Sequence, residues 1–222
     1  MKNQYLKLKE VCDEGNISTI KVVLYSLFYK LVHKKNIVLY PKVKIYGNKN
    51  ITTKGKRVLI GLRTVNFATP TEKTFLNISG QLIFKGGFSI GKGCKIDVRE
   101  GGVLEIGKGG YMNSYTQMVV VHKVSIGDNC AISWDCQFLD EDFHEIYYPK
   151  KVKNPKKVPR TKDIYIGNNV WIGCGVKIYK GSYIADGSIV ASNSIVKGRF
   201  EQKNCLIGGH PAKLLKEDAH WK

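Results

Sequence analysis

The residues best equipped for chemistry lie together in FLDEDFHEI, residues 138–146, where one imidazole, His144, stands among the carboxylates of Asp140, Glu141, Asp142 and Glu145. A histidine held through one ring nitrogen by a carboxylate, and open to solvent through the other, is equipped as a general base. His122 is the second histidine of this region, and His33, His210 and His220 fall outside it. A zinc centre built from three converging histidines is therefore not expected, and no metal is required. The six cysteines form no CxxC pair and read as reduced packing residues.

A six-residue metre positions His144. Aliphatics recur at Ile166, Ile172, Ile178, Ile184, Val190 and Val196, with Val170, Val176, Ser182, Ser188 and Ser194 each four places after one of them. The metre also runs through Ile78, Phe84, Ile90 and Ile96, then Ile106, Met112 and Met118, then Ile126, Ile132 and Phe138, and more weakly through Ile45, Ile51 and Ile60. Six is neither a helical period nor simply that of a strand. Three short flat segments, each burying one aliphatic and one small residue, make a triangular coil of roughly eighteen residues, and about seven such coils stack as an all-β, parallel solenoid. Cys94, Cys130 and Cys136 take the small inward position of their hexads. Counting forward from Phe138, the next inward slot falls on His144, and the metre resumes only at Ile166, which makes residues 139–163 one long external loop.

Composition bounds the rest. The chain has 222 residues and a net charge of +18, with twelve lysines against Glu10, Asp13 and Glu14 in residues 1–56, and seven basic residues and no acid from Lys150 to Lys162. No apolar run reaches the ~18 residues of a membrane span. The opening MKNQYLKLKEVCDEGN lacks the apolar core and cleavage site of a signal peptide, so the expected address is the cytoplasm. A basic surface attracts polyanions, but the basic runs carry no interleaved stacking aromatics beyond Tyr147 and Tyr148, so a nucleic-acid partner is not expected. Ile20, Val23, Leu24, Leu27 and Leu31 take helical spacing, with Asn16 or Ser18 as N-cap. Such a helix caps the open end of the solenoid, or lies on an anionic leaflet through Leu24, Phe28 and Leu31 with Lys30, Lys34 and Lys35 at the head groups. The organisation expected is a basic helical cap at 1–42, the solenoid at 43–207 and a C-terminal tail at 208–222.

The motifs IGNNVWIGCGVKI at 166–178, GSIVASNSIVKG at 187–198 and GGHPAKLLK at 208–216 resemble the hexapeptide-repeat acyltransferases, in particular galactoside and maltose O-acetyltransferases and O-acetyltransferases of surface polysaccharides. The resemblance implies a left-handed parallel β-helix, a homotrimer with sites between subunits, and acetyl-CoA as donor. It implies His144 as catalytic base, with Asp142 or Glu145 orienting the ring. It implies a saccharide acceptor contacted by Asn113 and Tyr115 in IGKGGYMNSYTQ, with His122 near a position where relatives carry an acidic acceptor contact. The coenzyme is expected along the last coils, at Trp171, Gly173, Ala191 and Ser192, reaching Lys197, Arg199, Pro211 and Lys213 with its phosphate and adenine end. A capsule, O-antigen or lipid-linked oligosaccharide suits the basic N-terminus as acceptor, with peripheral contact to an anionic membrane at its inner face; N-acylation of an amino sugar is the alternative.

Overall fold

In a computed structural model the chain winds as a left-handed parallel β-helix whose three faces are sheets of nine, seven and seven strands. The structure describes residues 6, 8–10, 12–13, 17–62, 65–69, 71–145 and 158–222. Successive coils pair in parallel one above another, as Tyr111–Met112 on Ala131–Ile132 and these on Trp171–Ile172 in the first sheet. The aliphatic metre runs down the inside: Ile90, Met112, Ile132, Ile172 and Val190 are fully buried, as are Phe138 and Ile178 in the second sheet. Serines at 182, 188 and 194 are buried too, and each hydroxyl donates to a backbone carbonyl at its corner, so the small inward position is polar at no unsatisfied cost. Cys94, Cys130 and Cys136 are buried free thiols, as the metre places them.

Three edges join the faces, and they carry everything that is not scaffold. Residues 113–116, 133–136, 173–176 and 191–194 turn the chain from the first sheet to the second; 121–122, 180–182 and 197–198, with 140–145 and 158–163, lie between the second and the third. The remaining edge returns it through 127–130, 167–170, 185–188 and 201–205.

The structure departs from the metre in three places. The stack opens at Ile37–Leu39, which pairs with Val58–Ile60, ahead of the start at residue 43, because the aliphatic run 37–39 is buried beneath the helix rather than alternating. His144 does not fill an inward slot: the last buried side chains after Phe138 are Asp140 and Glu141, and His144 is exposed. The loop also is not the sole break. Residues 65–69 and 71–73 lie outside the strands between Val58–Leu62 and Thr74–Ile78, on the edge between the first and second sheets.

Helix α1, Thr19–His33, closes the first coil, its N-terminus capped by Ser18. It buries Val22 and Tyr29, and Ser26 Oγ accepts the Leu39 N–H at 3.1 Å. Asn16, the other cap candidate, and most of the basic stretch of the loop lie outside the described residues. At the other end Leu206–Gly209 forms an antiparallel hairpin with Ala212–Lys216.

Candidate active site

The loop bearing His144 is built from its neck outward. Asp140 is fully buried and turns back to the preceding coil, where its two oxygens accept the backbone N–H groups of Val121 and His122, both at 2.8 Å. Burial pushes this carboxyl above the usual aspartate value, against the lowering effect of those backbone donors. Asp142 N–H donates to the Arg160 carbonyl and Lys162 N–H to the Asp140 carbonyl, each at 3.1 Å, which zips the neck. Glu141, nearly buried, pairs with Arg160, and Asp142 pairs with the buried ammonium of Lys180 on the following coil. Phe143 then adopts φ 64°, with the Arg99 guanidinium 5.2 Å from its ring centre. A positive φ in a bulky residue carries strain, and it stands immediately before His144.

Asp140 and Asp142, two of the carboxylates adjoining His144 in sequence, are thus committed to the fold. The ring of His122 has a carboxylate partner on the same edge, Nδ1 lying 2.6 Å from Asp163 Oδ1 with both side chains largely exposed, whereas the other histidine–carboxylate pair among the described residues, His220 with Asp218, lies in the C-terminal tail. Glu145 is exposed beside His144.

The second cluster sits on the edge between the first and second sheets. Asn113, Tyr115, Gly173, Ala191 and Ser192 all fall there, and Gly209 N–H donates to Ser194 Oγ at 3.0 Å, bringing the Pro211 and Lys213 hairpin alongside. Cys174 Sγ lies 3.3 Å from Ser192 Oγ. A Cβ on Gly173 would stand 2.7 Å from the Ser192 nitrogen, so the glycine is required by close approach of the chain's own next coil. Trp171 projects from the first face, its Nε1 donating to Ser133 Oγ at 3.4 Å and its ring 6.3 Å from Trp221.

Tyr115 has φ 67° at an edge position that neighbouring coils fill with Gly93, Asp135, Gly175 and Asn193, residues that tolerate the left-handed region. Its ring stacks on Phe67 at 6.0 Å, and Phe67 meets Trp134 edge-on at 5.9 Å. Phe67 and Trp134 remain partly exposed. Sequence reading missed both, since Phe67 lies in an excursion that carries no metre and Trp134 at a corner between hexads; the signal available was a large aromatic at a position the metre leaves to small or polar residues.

Two of the coenzyme candidates fall elsewhere. Lys197 stands on the edge of the His144 loop, and Arg199 follows on the third face, where its guanidinium covers the Tyr183 ring at 4.4 Å and pairs with Glu201 at 2.8 Å. Within the chain most of the candidate residues thus form two groups on two edges, with the second sheet between them. At ~3.3 Å per residue across a side of about five residues, some 15 Å separates the groups.

The profile "Bacterial transferase hexapeptide (six repeats)" matches residues 163–198. A curated protein of Klebsiella pneumoniae, "Uncharacterized 24.8 kDa protein in cps region", is 39% identical over 217 residues, covering 97% of this chain and 94% of its own. Among solved structures, a mutant of AntD, an N-acyltransferase from Bacillus cereus in complex with dTDP and coenzyme A, superposes with a TM-score of 0.53 at 17% identity over 85% of this chain and 82% of that one. The polySia-specific acetyltransferase NeuO gives 0.43 at 23% identity, over 85% and 79%. The repeat, the three-faced left-handed coil and the Klebsiella relative agree: the chain belongs to the hexapeptide-repeat acyltransferases, one family with that relative.

Proposed function

We propose that this protein transfers an acetyl group from acetyl-CoA to a hydroxyl of a saccharide, in a site shared between subunits of a homotrimer. The observation that carries the proposal is the separation of the two groups. His144 and its loop occupy one edge, and Asn113, Tyr115 and the corners at Gly173 and Ser192 another; in the proposed trimer a neighbouring copy supplies the half of each site that one chain lacks. Rotational symmetry then makes as many sites as subunits.

In such a site His144 Nε2 or Nδ1 takes the proton of the acceptor hydroxyl as the oxygen attacks the thioester carbonyl. The tetrahedral intermediate collapses with cleavage of the C–S bond, and the imidazolium returns the proton to the departing thiolate. No acyl-enzyme forms, and a backbone N–H of a nearby coil supports the oxyanion. The pantetheine arm runs along the Gly173, Ala191 and Ser192 corners beside Trp171, toward Pro211 and Lys213. Lys197, on the other edge, and Arg199, beyond it on the third face, meet the coenzyme phosphates only from the adjacent subunit. Asn113 gives the acceptor an amide, and the rings of Tyr115, Phe67 and Trp134 give it an apolar wall, the combination by which a protein grips a sugar ring. His122, held by Asp163, faces the acceptor from the His144 side. The acceptor belongs to a surface polysaccharide or its lipid-linked precursor, met by the protein at the cytoplasmic face of the membrane; the Klebsiella relative's place in a cps region is in keeping with that.

The test is the chemistry of the product bond. Radiolabelled acetyl transferred to a polysaccharide repeat unit is expected to be released by mild alkali, as an ester is; label that survives alkali identifies an amide and overturns O-acetylation in favour of an amino-sugar acceptor.

A further inference from the structure

Helix α1 is inverted relative to a surface helix of a soluble protein. Its inner side holds Val22, Ser26 and Tyr29 against the first coil, while Ile20, Leu24, Tyr25, Leu27, Phe28, Leu31 and Val32, on the outer side, are each 51–79% exposed. Positions 20, 24, 27, 28 and 31 fall on one stripe of a helix. Only Lys21 and Lys30 interrupt that outer side, and both are exposed. Leu24, Tyr25 and Phe28 continue, with Leu39, Pro41 and Val43, into an open groove of about 550 Å³. An apolar patch this contiguous on a folded protein marks an interaction surface.

The charge around it identifies the partner. Lys21, Lys30, Lys34, Lys35 and Lys42 surround the patch, α1 has no acidic residue in its first turn, and the chain as a whole carries +18. Apolar side chains rimmed by ammonium groups match the cross-section of an anionic bilayer, with acyl chains below and phosphate at the level of the lysines. The helix is too short to cross: no helix among the described residues is long and apolar enough for that.

We propose that Thr19–His33 docks flat on an anionic lipid surface, with Leu24, Phe28 and Leu31 in the acyl boundary and Lys21, Lys30, Lys34 and Lys35 at the head groups. The solenoid end that α1 caps then faces the bilayer and the candidate site stands out from it along the coil axis. The proposal rests on the membrane-held acceptor reading above for its purpose, but its test does not depend on acetyl transfer.

The full chain is sedimented with vesicles of phosphatidylcholine alone and with one-third phosphatidylglycerol. Partitioning is expected to be on the order of a hundredfold stronger on the anionic vesicles, and to fall as salt is raised. The triple substitution Leu24→Glu, Phe28→Glu, Leu31→Glu, at exposed positions, is expected to abolish binding while leaving the melting temperature and turnover on a soluble acceptor unchanged. Equal binding by the triple variant overturns the proposal, as does a wild-type chain that stays in the supernatant. In the latter case, a particle mass that grows with concentration in the wild type and not in the triple variant assigns the face to a second copy instead. Loss of acetyl transfer with vesicle binding intact refutes the proposed function and leaves this inference standing.

Discussion

Replacing Asp140 with alanine removes the acceptor of the Val121 and His122 N–H groups, both bonded at 2.8 Å. Hydrogen bonds to a charged group contribute about 1.5–3 kcal/mol each, so the pair sets a gross loss of about 3–6 kcal/mol. Desolvation offsets part of it, as the raised carboxyl shows, and a net loss of about 2–4 kcal/mol follows. With urea m-values of about 1–3 kcal/mol/M, the unfolding midpoint falls by roughly 1 M or more at equal protein concentration. Asp140→Asn keeps one acceptor oxygen and lies between wild type and alanine. The pH dependence has a defined sign. Because the folded value lies above the ordinary one, stability linked to this ionisation is fully present below the ordinary carboxylate range and is lost as pH rises through the folded value. The gap between wild type and Asp140→Ala therefore widens toward acid. A midpoint within about 0.2 M of wild type, or a gap that narrows toward acid, refutes the assignment of Asp140 as the anchor of the loop.

Tyr115→Asn places at φ 67° a residue that tolerates it, as Asn193 does at the corresponding position. Relief of about 1–2 kcal/mol against about 0.5–1.5 kcal/mol of lost ring stacking leaves thermal stability nearly unchanged, while the KM for the acceptor rises and that for acetyl-CoA does not; steady-state kinetics read the difference, and an unchanged acceptor KM removes Tyr115 from the acceptor contact. Burial pushes the thiols of Cys94, Cys130 and Cys136 up to about 12, 11 and 12. At pH 8 iodoacetamide is thus expected to label the partly exposed Cys174 before these three, and peptide mass spectrometry showing a buried one labelled first in the native protein contradicts the packing described. Co-expressing His144→Ala with Asn113→Ala, each inactive alone, is expected to restore about a quarter of wild-type activity, the fraction of shared sites that draw an intact half from each of two subunits; no restoration in mixed assemblies places both residues' roles within one subunit.

How legible this protein is from its residues depends on whether a feature is periodic. Ile172, Ile178, Ile184 and Val190 repeat because each coil must bury the same slot, so spacing alone assigned their faces and the stack. Cys94 and Cys136 were legible for the same reason. The metre misled at His144, since a periodic rule extrapolated past Phe138 cannot tell where the chain leaves the stack; Asp140, a carboxylate buried against two backbone donors, marks the exit instead. Phe67 was hidden because residues 63–73 carry no six-residue metre, so spacing assigns its ring to no face. The partner of Asp142 was hidden too: Lys180 follows it by 38 positions in sequence and is a neighbour only after a full coil has closed.

The central claim is that His144 moves the proton in an acceptor-dependent acetyl transfer. The direct measurement is release of free coenzyme A thiol from acetyl-CoA by the purified full chain, with and without a saccharide acceptor, for wild type and His144→Ala. The account predicts thiol release that requires the acceptor and falls by about 10²–10⁴-fold in the variant, with the fold intact by circular dichroism. Acceptor-dependent release at the wild-type rate in His144→Ala would contradict it.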